Sequence, residues 1–269
     1  MSTNDPKQAI IEAANNKHIT QTSSQALLAN LNANTLPSTI GTQVELYESV
    51  TPLVLNLIVD STYSLKGFED TIINGINDCV GDFKILRNKT GQEIYIAVHE
   101  FSNRGGSLGL RTIQDFIRIQ DFVELTRNDY TTDGSTPLFD ATYDGITQTM
   151  TFASTLFANG ATGVQEVTLI LTDGGDNDSK RKAIEVAAFL KEFNTKPHFV
   201  AAFIGVNENY PFEQIAKSMG FLDGNIVKVE QTKDGIAKVL KLYSSSVGSR
   251  VHNSQAGNPV SSANFFVTP

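Results

Sequence analysis

The chain has 269 residues, 40% of them hydrophobic and 19% charged, and a net charge of −8 at pH 7. That length suits one large domain, or a domain of about 200 residues with extensions. The acidic balance, without any Lys/Arg cluster, argues against nonspecific nucleic-acid binding, and the single cysteine, Cys79, excludes an intramolecular disulfide framework and a cysteine-based zinc cluster.

In chain order, the opening Met1-Ser2-Thr3-Asn4-Asp5-Pro6 carries neither a basic n-region nor an apolar h-region, so a cytoplasmic protein is expected. Residues 1–43 are rich in Asn, Thr, Ser, Gln and Ala. Apolar residues at Ile10, Ile11 and Ala14, then Leu27, Leu28 and Leu31, predict one or two weakly amphipathic helices ending before Thr35-Leu36-Pro37-Ser38. Leu53–Asp60 is a nearly continuous apolar run of the kind a parallel strand buried on both faces requires. It and Phe199–Val206 are the longest such runs, well short of the roughly 18 residues of a membrane span.

Residues 64–86 place Phe68, Ile72, Ile76, Cys79, Val80 and Phe83 on one helical stripe, which makes Cys79 a core residue. Glu93–Phe101 alternates as a strand does, and residues 102–130 are expected to hold a short edge strand and irregular loop. A helix over 137–157, a strand at Glu166–Thr172, a helix at Ser179–Phe193 and a strand at His198–Gly205 follow. The last elements are a short helix near Pro211–Met219, a strand at Asn225–Val229 and a helix at Lys233–Ser245. From Ser244 the Ser/Gly/Asn-rich composition predicts a mobile tail closing on Phe265-Phe266-Val267. The division is thus an extension (1–43), a domain (44–246) and a flexible tail (247–269). Strand–helix alternation predicts an α/β fold, a doubly wound, mostly parallel sheet with helices on both faces. In such sheets ligands bind beyond the carboxyl ends of the strands, near the switch point.

Three segments fall at that rim. Asp60-Ser61-Thr62-Tyr63-Ser64 follows the first strand, Gly134-Ser135-Thr136-Pro137-Leu138 precedes a helix, and Thr172-Asp173-Gly174-Gly175 follows a later strand. Alternate side chains of a tight strand-to-helix turn converge on one point, which suits Asp60, Thr62 and Ser64. Pro137 is compatible with a first helical position, leaving Thr136 as a cap-like residue, and Gly174-Gly175 permits a sharp turn after Asp173. Two carboxylates and several hydroxyls, all oxygen donors, suit a hard cation such as Mg²⁺ with water completing the shell.

These three pieces, in this order and separation, resemble the metal-ion-dependent adhesion site (MIDAS) of von Willebrand factor type A (vWA) domains over roughly residues 50–246. The family's first motif more often reads Asp-x-Ser-x-Ser; here Thr62 stands in the middle and keeps the hydroxyl. The resemblance implies a six-stranded, mostly parallel sheet with one antiparallel edge strand. It also implies metal ligands at Asp60, Thr62, Ser64, Thr136 and Asp173, with Mg²⁺ favoured and Mn²⁺ or Ca²⁺ as substitutes. Only Asp60 and Asp173 offset the cation's charge, and in the family at least one carboxylate acts through water while a ligand is held. The metal then stays electrophilic, and an Asp or Glu of a partner protein completes its shell. Ser61 and Tyr63, between the ligands, would rim the contact face. Family members couple the site to movement of the last helix, here Lys233–Ser245. The expected activity is binding, without catalysis, and Asp60→Ala is expected to abolish partner capture while leaving the fold intact.

Asp60 alone would pass as a helix-capping carboxylate. Asp173 with Asp176-Asn177-Asp178 misses the EF-hand spacing, and Asp178 is better read as a helix cap. Gly105-Gly106-Ser107-Leu108-Gly109 matches Gly-x-Ser-x-Gly, with Asp173 and His198 or His252 in hydrolase order. No strand ends at Ser107, however, and His198 belongs at the opposite end of the sheet. A phosphotransferase would need a second acid where Thr62 stands, and no phosphate-cradling glycine motif occurs at a strand–helix turn. The four histidines share no ligand spacing. A rival from another class is assembly, in which the N-terminal extension packs on a sheet edge or on a neighbouring copy within a multi-protein complex. An ATPase chaperone or multi-protein module as partner is analogy alone.

Overall fold

The computed structural model describes residues 5–31, 36, 51–104 and 109–266. Among them the order is α1 (Pro6–Asn15), α2 (Gln21–Asn30), β1 (Leu53–Asp60), α3 (Glu69–Thr90), β2 (Ile94–Phe101) and β3 (Leu110–Arg118). There follow α4 (Leu138–Ala158), β4 (Gln165–Thr172), α5 (Ala183–Asn194), β5 (Phe199–Val206), α6 (Phe212–Ser218), β6 (Ile226–Val229) and α7 (Lys233–Gln255). The six strands form one sheet in the order β3-β2-β1-β4-β5-β6, parallel except for the antiparallel β2–β3 pair. No helix among the described residues is long and apolar enough to cross a membrane.

Every residue of β1, β2, β4 and β5 is buried, as expected of strands covered on both faces. Side chains alternate between two cores. Leu53, Leu55, Leu57 and Val59 pack with Ile72, Ile76 and Phe83 of α3 and with Leu240 and Tyr243 of α7. Ile58, Ile170 and Phe203 face the other way, against Ile146 and Met150 of α4 and Val186 and Leu190 of α5. β1, β2, β4, β5 and β6 fall within one residue of where the sequence places them. β3 is the exception: it runs nine residues where a short edge strand was expected, and register shifts against β2 interrupt the alternation that would have marked it.

The α4 layer is itself covered. α1 and α2 form a hairpin over α4 and α5, burying Ile10, Ala13, Ala14, Ile19 and Leu27. Nearly all of α4 is consequently out of water, although it is rich in threonine. Its hydroxyls are satisfied by bonding back one turn: Thr142 donates to the Leu138 carbonyl (2.8 Å), Thr147 to Tyr143 (2.9 Å), Ser154 to Met150 (2.8 Å) and Thr155 to Thr151 (3.1 Å). Asn56, the polar residue in mid-β1, donates to the Gly145 carbonyl and to Thr149 Oγ1, both at 3.1 Å. The extension thus covers this chain's own helix layer rather than a sheet edge.

Residues 247–266 differ from the flexible tail expected. α7 continues to Gln255, and the chain then folds back to bury Phe265 and Phe266 in the α3/α7 core, Phe265 with its ring centroid 5.9 Å from that of Tyr243. Arg250 holds this return by donating to the Ser261 carbonyl (2.6 Å), and Asn225 Oδ1 accepts from Phe265 N (2.9 Å). A composition typical of mobile segments is overridden by two buried aromatics. Residues 267–269 lie outside the described residues. Phe265→Ala should therefore cost about 3 kcal/mol in a denaturant melt, the order of a buried aromatic lost from a core; a change within error would mean that the return segment does not pack.

At the other end of the sheet Glu166 is fully buried, and burial pushes its carboxyl up to about 7 despite the lowering pull of Lys196 and Arg250. The unfolded chain releases this proton near 4.5 and the folded chain near 7, so its contribution favours folding below 4.5 and is lost as pH rises through 7. Replacing it by Gln should flatten the fall in urea midpoint between pH 5 and 7.5; an unchanged slope would show that Glu166 does not titrate in that window.

Candidate metal centre

β1 and β4 are neighbours in the sheet, but their outer partners β2 and β5 lie on opposite sides. The crevice beyond their carboxyl ends is therefore the switch point. Asp60 is the last residue of β1, and Asp173 follows the last residue of β4.

Asp60 has no solvent exposure. Its Oδ1 accepts from Thr62 N (2.8 Å), its Oδ2 accepts from the Thr172 hydroxyl (2.6 Å), and the buried Tyr130 hydroxyl donates to its backbone carbonyl. The chain then turns through a short 3₁₀ segment, Tyr63–Leu65, which brings Thr62 Oγ1 to 3.1 Å from Ser64 Oγ. Ser64 Oγ donates to Asp173 Oδ1 at 2.7 Å, joining the first strand's loop to the fourth's. Gln231, between β6 and α7, donates to the other oxygen of Asp173, also at 2.7 Å.

Thr136 arrives from the α4 side. Its backbone N donates to Asn177 Oδ1 (2.7 Å) and its carbonyl accepts from Asn177 N (3.0 Å). The Thr136 hydroxyl stands 3.6 Å from the position a Cβ on Gly174 would take, so the loop after Asp173 lies alongside Thr136 at ordinary contact distance. Pro137 occupies the cap position and the helix starts at Leu138, one residue later than the sequence suggested. Asp60, Thr62, Ser64 and Asp173 are thus tied together, and Thr136 lies beside Gly174, the residue after Asp173.

The electrostatics of that place are unbalanced. Burial, then the neighbouring Asp173 carboxylate, push the Asp60 carboxyl up to about 7. Burial also raises Asp173, against the lowering effect of the Ser64 and Gln231 hydrogen bonds. Among the described residues no Lys or Arg forms an ion pair with either. Nor do three His, Cys, Asp or Glu side chains gather there or elsewhere among those residues. Two buried carboxylates without a basic partner, beside three hydroxyls, fit a hard divalent cation that also keeps water.

Several expectations need correction. Ser61 is fully buried, its hydroxyl donating to the Phe101 carbonyl (3.2 Å), so it does not rim a contact face. Tyr63 is 62% exposed, with Lys66 Nζ 5.2 Å from its ring centre. Asp178 caps no helix; it accepts from Ser135 Oγ (2.5 Å) and from Asn103, while α5 begins at Ala183 with Glu185 accepting from Lys182 N. Ser107 lies outside the described residues, and His198 precedes β5 at the far end of the sheet from Asp173. Thr172, Tyr130, Asn177 and Gln231 escaped the sequence reading. Thr172 lay inside the recognised motif, whereas Gln231 carries no local signal.

No protein-family model matches the sequence, and no curated protein matches it. Solved structures do. A mutant form of the PilB minor pilin from Streptococcus sanguinis matches with a TM-score of 0.51 at 12% identity, over 77% of this chain and 64% of that one. The open conformation of the pilus adhesin SpaC from Lactobacillus rhamnosus GG gives 0.51 at 12%, over 74% and 30%. Proximal thread matrix protein 1 from the mussel byssus, with a zinc-occupied MIDAS motif, gives 0.47 at 14%, over 74% and 47%. The chain thus spans between 30% and 64% of the length of these proteins. The likeness is one of fold, a six-stranded, mostly parallel α/β sheet of vWA-like, Rossmann-like form.

The burial of Asp60 alters what its replacement tests. Alanine would strand Thr62 N–H, at about 1–3 kcal/mol for a buried unsatisfied group, while the Thr172 hydroxyl keeps the Gly174 carbonyl. Asparagine can accept from Thr62 N and donate to Thr172, whose own proton then goes to the Gly174 carbonyl 2.9 Å away. In EDTA at pH 7.5, Asp60→Asn should melt at or above the parent temperature and Asp60→Ala below it. The reverse order would show that the carboxylate is not held as described.

Proposed function

We propose that this chain is a metal-dependent protein–protein interaction module with no catalytic activity of its own. Asp60, Thr62, Ser64, Thr136 and Asp173 would hold the ion, Mg²⁺ in the first instance, with Mn²⁺ and Ca²⁺ as substitutes. The observation that carries this reading is the pair of buried, mutually repelling carboxylates at the switch point, with no basic side chain among the described residues to neutralise them. A bound divalent ion would supply that charge and, at a position otherwise taken by water, accept a carboxylate from a partner.

The chain's own residues divide the work. Thr172 and Thr62 N–H fix the Asp60 carboxylate, and Ser64 and Gln231 fix that of Asp173. Ser64 and Tyr63 are exposed, so the β1–α3 loop presents the partner-facing side. An acidic side chain on a partner protein is the complement this proposal requires. A cytoplasmic location belongs to the same proposal and rests on the sequence alone. The assembly reading draws less support, because the extension that would join copies covers α4 of its own chain over residues 5–31.

Titration of the EDTA-stripped chain with Mg²⁺ or Mn²⁺ in a calorimeter should give one site per chain, lost in Asp173→Asn. Capture of a partner on immobilised chain should require the ion and fail in chelator. Failure to take up either ion at millimolar concentration would end the metal reading, and capture indifferent to chelator would end the metal-bridged contact.

A further inference from the structure

The β4–α5 loop, residues 173–182, begins with a proposed ligand and is laced along its length to the start of α4. Asn177 brackets Thr136. Ser179 Oγ accepts from Phe139 N (3.0 Å) and Asp140 N (3.1 Å), and Asp176 Oδ1 accepts from Phe139 N (3.2 Å). These side chains meet the backbone donors that the first turn of a helix leaves open. Asp140 in turn accepts from Lys180 N (2.8 Å), Arg181 N (3.1 Å) and Arg181 Nη1 (3.0 Å).

The far end of this lacing is fastened from outside the layered fold. Arg181 Nη2 donates to Asn30 Oδ1 at 2.7 Å, and Asn30, the last residue of α2, donates to Thr147 Oγ1 on α4 at 2.7 Å. Arg181 also lies 3.4 Å from Asp144 and stacks over the Tyr143 ring at 4.4 Å. Asn30 is 8% exposed and the Arg181 side chain about a quarter exposed, so the contact is partly buried, and a hydrogen bond with a charged donor is stronger than a neutral one. The hairpin cannot easily drift from this position. Its connecting turn is pinned by Lys196 Nζ donating to the His18 carbonyl (3.2 Å) and by the His18 ring stacked on Phe157 at 4.1 Å.

We infer that the N-terminal helical hairpin is a positioning device for the metal centre, with Asn30 and Arg181 as its positioning residues. Asn30 orients Arg181, Arg181 holds the end of the 173–182 loop on Asp140, and the loop so held presents Asp173 and Thr136 at a fixed separation. The inference rests on the metal reading above and adds what that reading lacks, a reason for the extension to pack where it does. Site residues held only at their own loop would shift with it; groups bonded directly to a ligand are commonly worth one to two orders of magnitude in metal affinity, and Asn30, acting through Arg181 and Asp140, is expected at the lower end of that range.

The test compares three full-length chains: the parent, Asn30→Ala, and Ile10→Val, which trims the hairpin core without touching Arg181. Two quantities are read: the Mn²⁺ dissociation constant by paramagnetic resonance, and hydrogen exchange of the Lys180 and Arg181 amides in metal-free protein. Asn30→Ala should raise the dissociation constant about tenfold and speed exchange at both amides, while Ile10→Val leaves both at parent values even where its melting temperature falls. Parent affinity in Asn30→Ala overturns the inference, as does an equal loss in Ile10→Val, which would trace the effect to general loosening. A parent that takes up no Mn²⁺ overturns the metal reading and the inference with it, and is told apart by failing in the first titration.

Discussion

The structure turns on the meeting of Asp60, which is out of water, and the nearly buried Asp173, a pair that no basic side chain among the described residues balances. An unpaired carboxylate costs several kcal/mol to bury, and a second one beside it raises that cost. The chain limits the penalty with hydrogen bonds alone: Thr62 N–H and Thr172 on one carboxylate, Ser64 and Gln231 on the other. Burial still wins, which is why Asp60 is pushed up to about 7. Elsewhere the same chain handles buried acids differently, giving Arg181 to Asp140 and Asp144, and Arg111 to Glu100. Leaving the switch-point pair without a cation is therefore a local feature rather than a general habit of this sequence.

Holding such a pair asks for rigid surroundings, and α4 supplies them. It is packed against the sheet on one side and under the N-terminal hairpin on the other, and its first turn is capped by side chains of the loop that begins at Asp173. Close packing of this kind transmits displacement instead of absorbing it. At Gly145 α4 lies so close to β1 that a Cβ there would run into the Ile58 side chain. Thr136, two residues before α4, is thereby fixed relative to Asp60 through the body of the protein as well as through the loops.

Much of this was legible in the sequence, for identifiable reasons. Strands buried on both faces need long apolar runs, so Leu53–Asp60 and Phe199–Val206 announced themselves, and the alternation with helices fixed the fold class. The placement of Asp60, Thr62, Ser64 and Asp173 at one rim was readable because turns after parallel strands end there, whereas Thr136 was expected as the residue before a helix. What escaped depended on tertiary partners. The β2–β3 bulges broke the period of β3, two phenylalanines overrode a tail composition that resembles a linker, and Ser61 turned inward to bond Phe101 instead of outward. Gln231 and Asn30 reach the loop on Asp173's side from 58 and 151 residues away along the chain, the first to Asp173 itself and the second to Arg181. No local pattern specifies such contacts.

Charge decides what this arrangement would accept. Two carboxylates against a divalent ion sum to zero, and the three hydroxyls add donors without adding charge. A site of that balance would still attract one further carboxylate, because the ion's pull on an incoming anion is not cancelled by a nearer third acid. Were Thr62 an acid, the local sum would be negative, and in a buried setting of low effective dielectric the repulsion felt by an arriving Asp or Glu would be several times that in water. The neutral threonine at this position keeps a hydroxyl without adding charge, and burial together with the Asp173 carboxylate raises the Asp60 carboxyl to about 7.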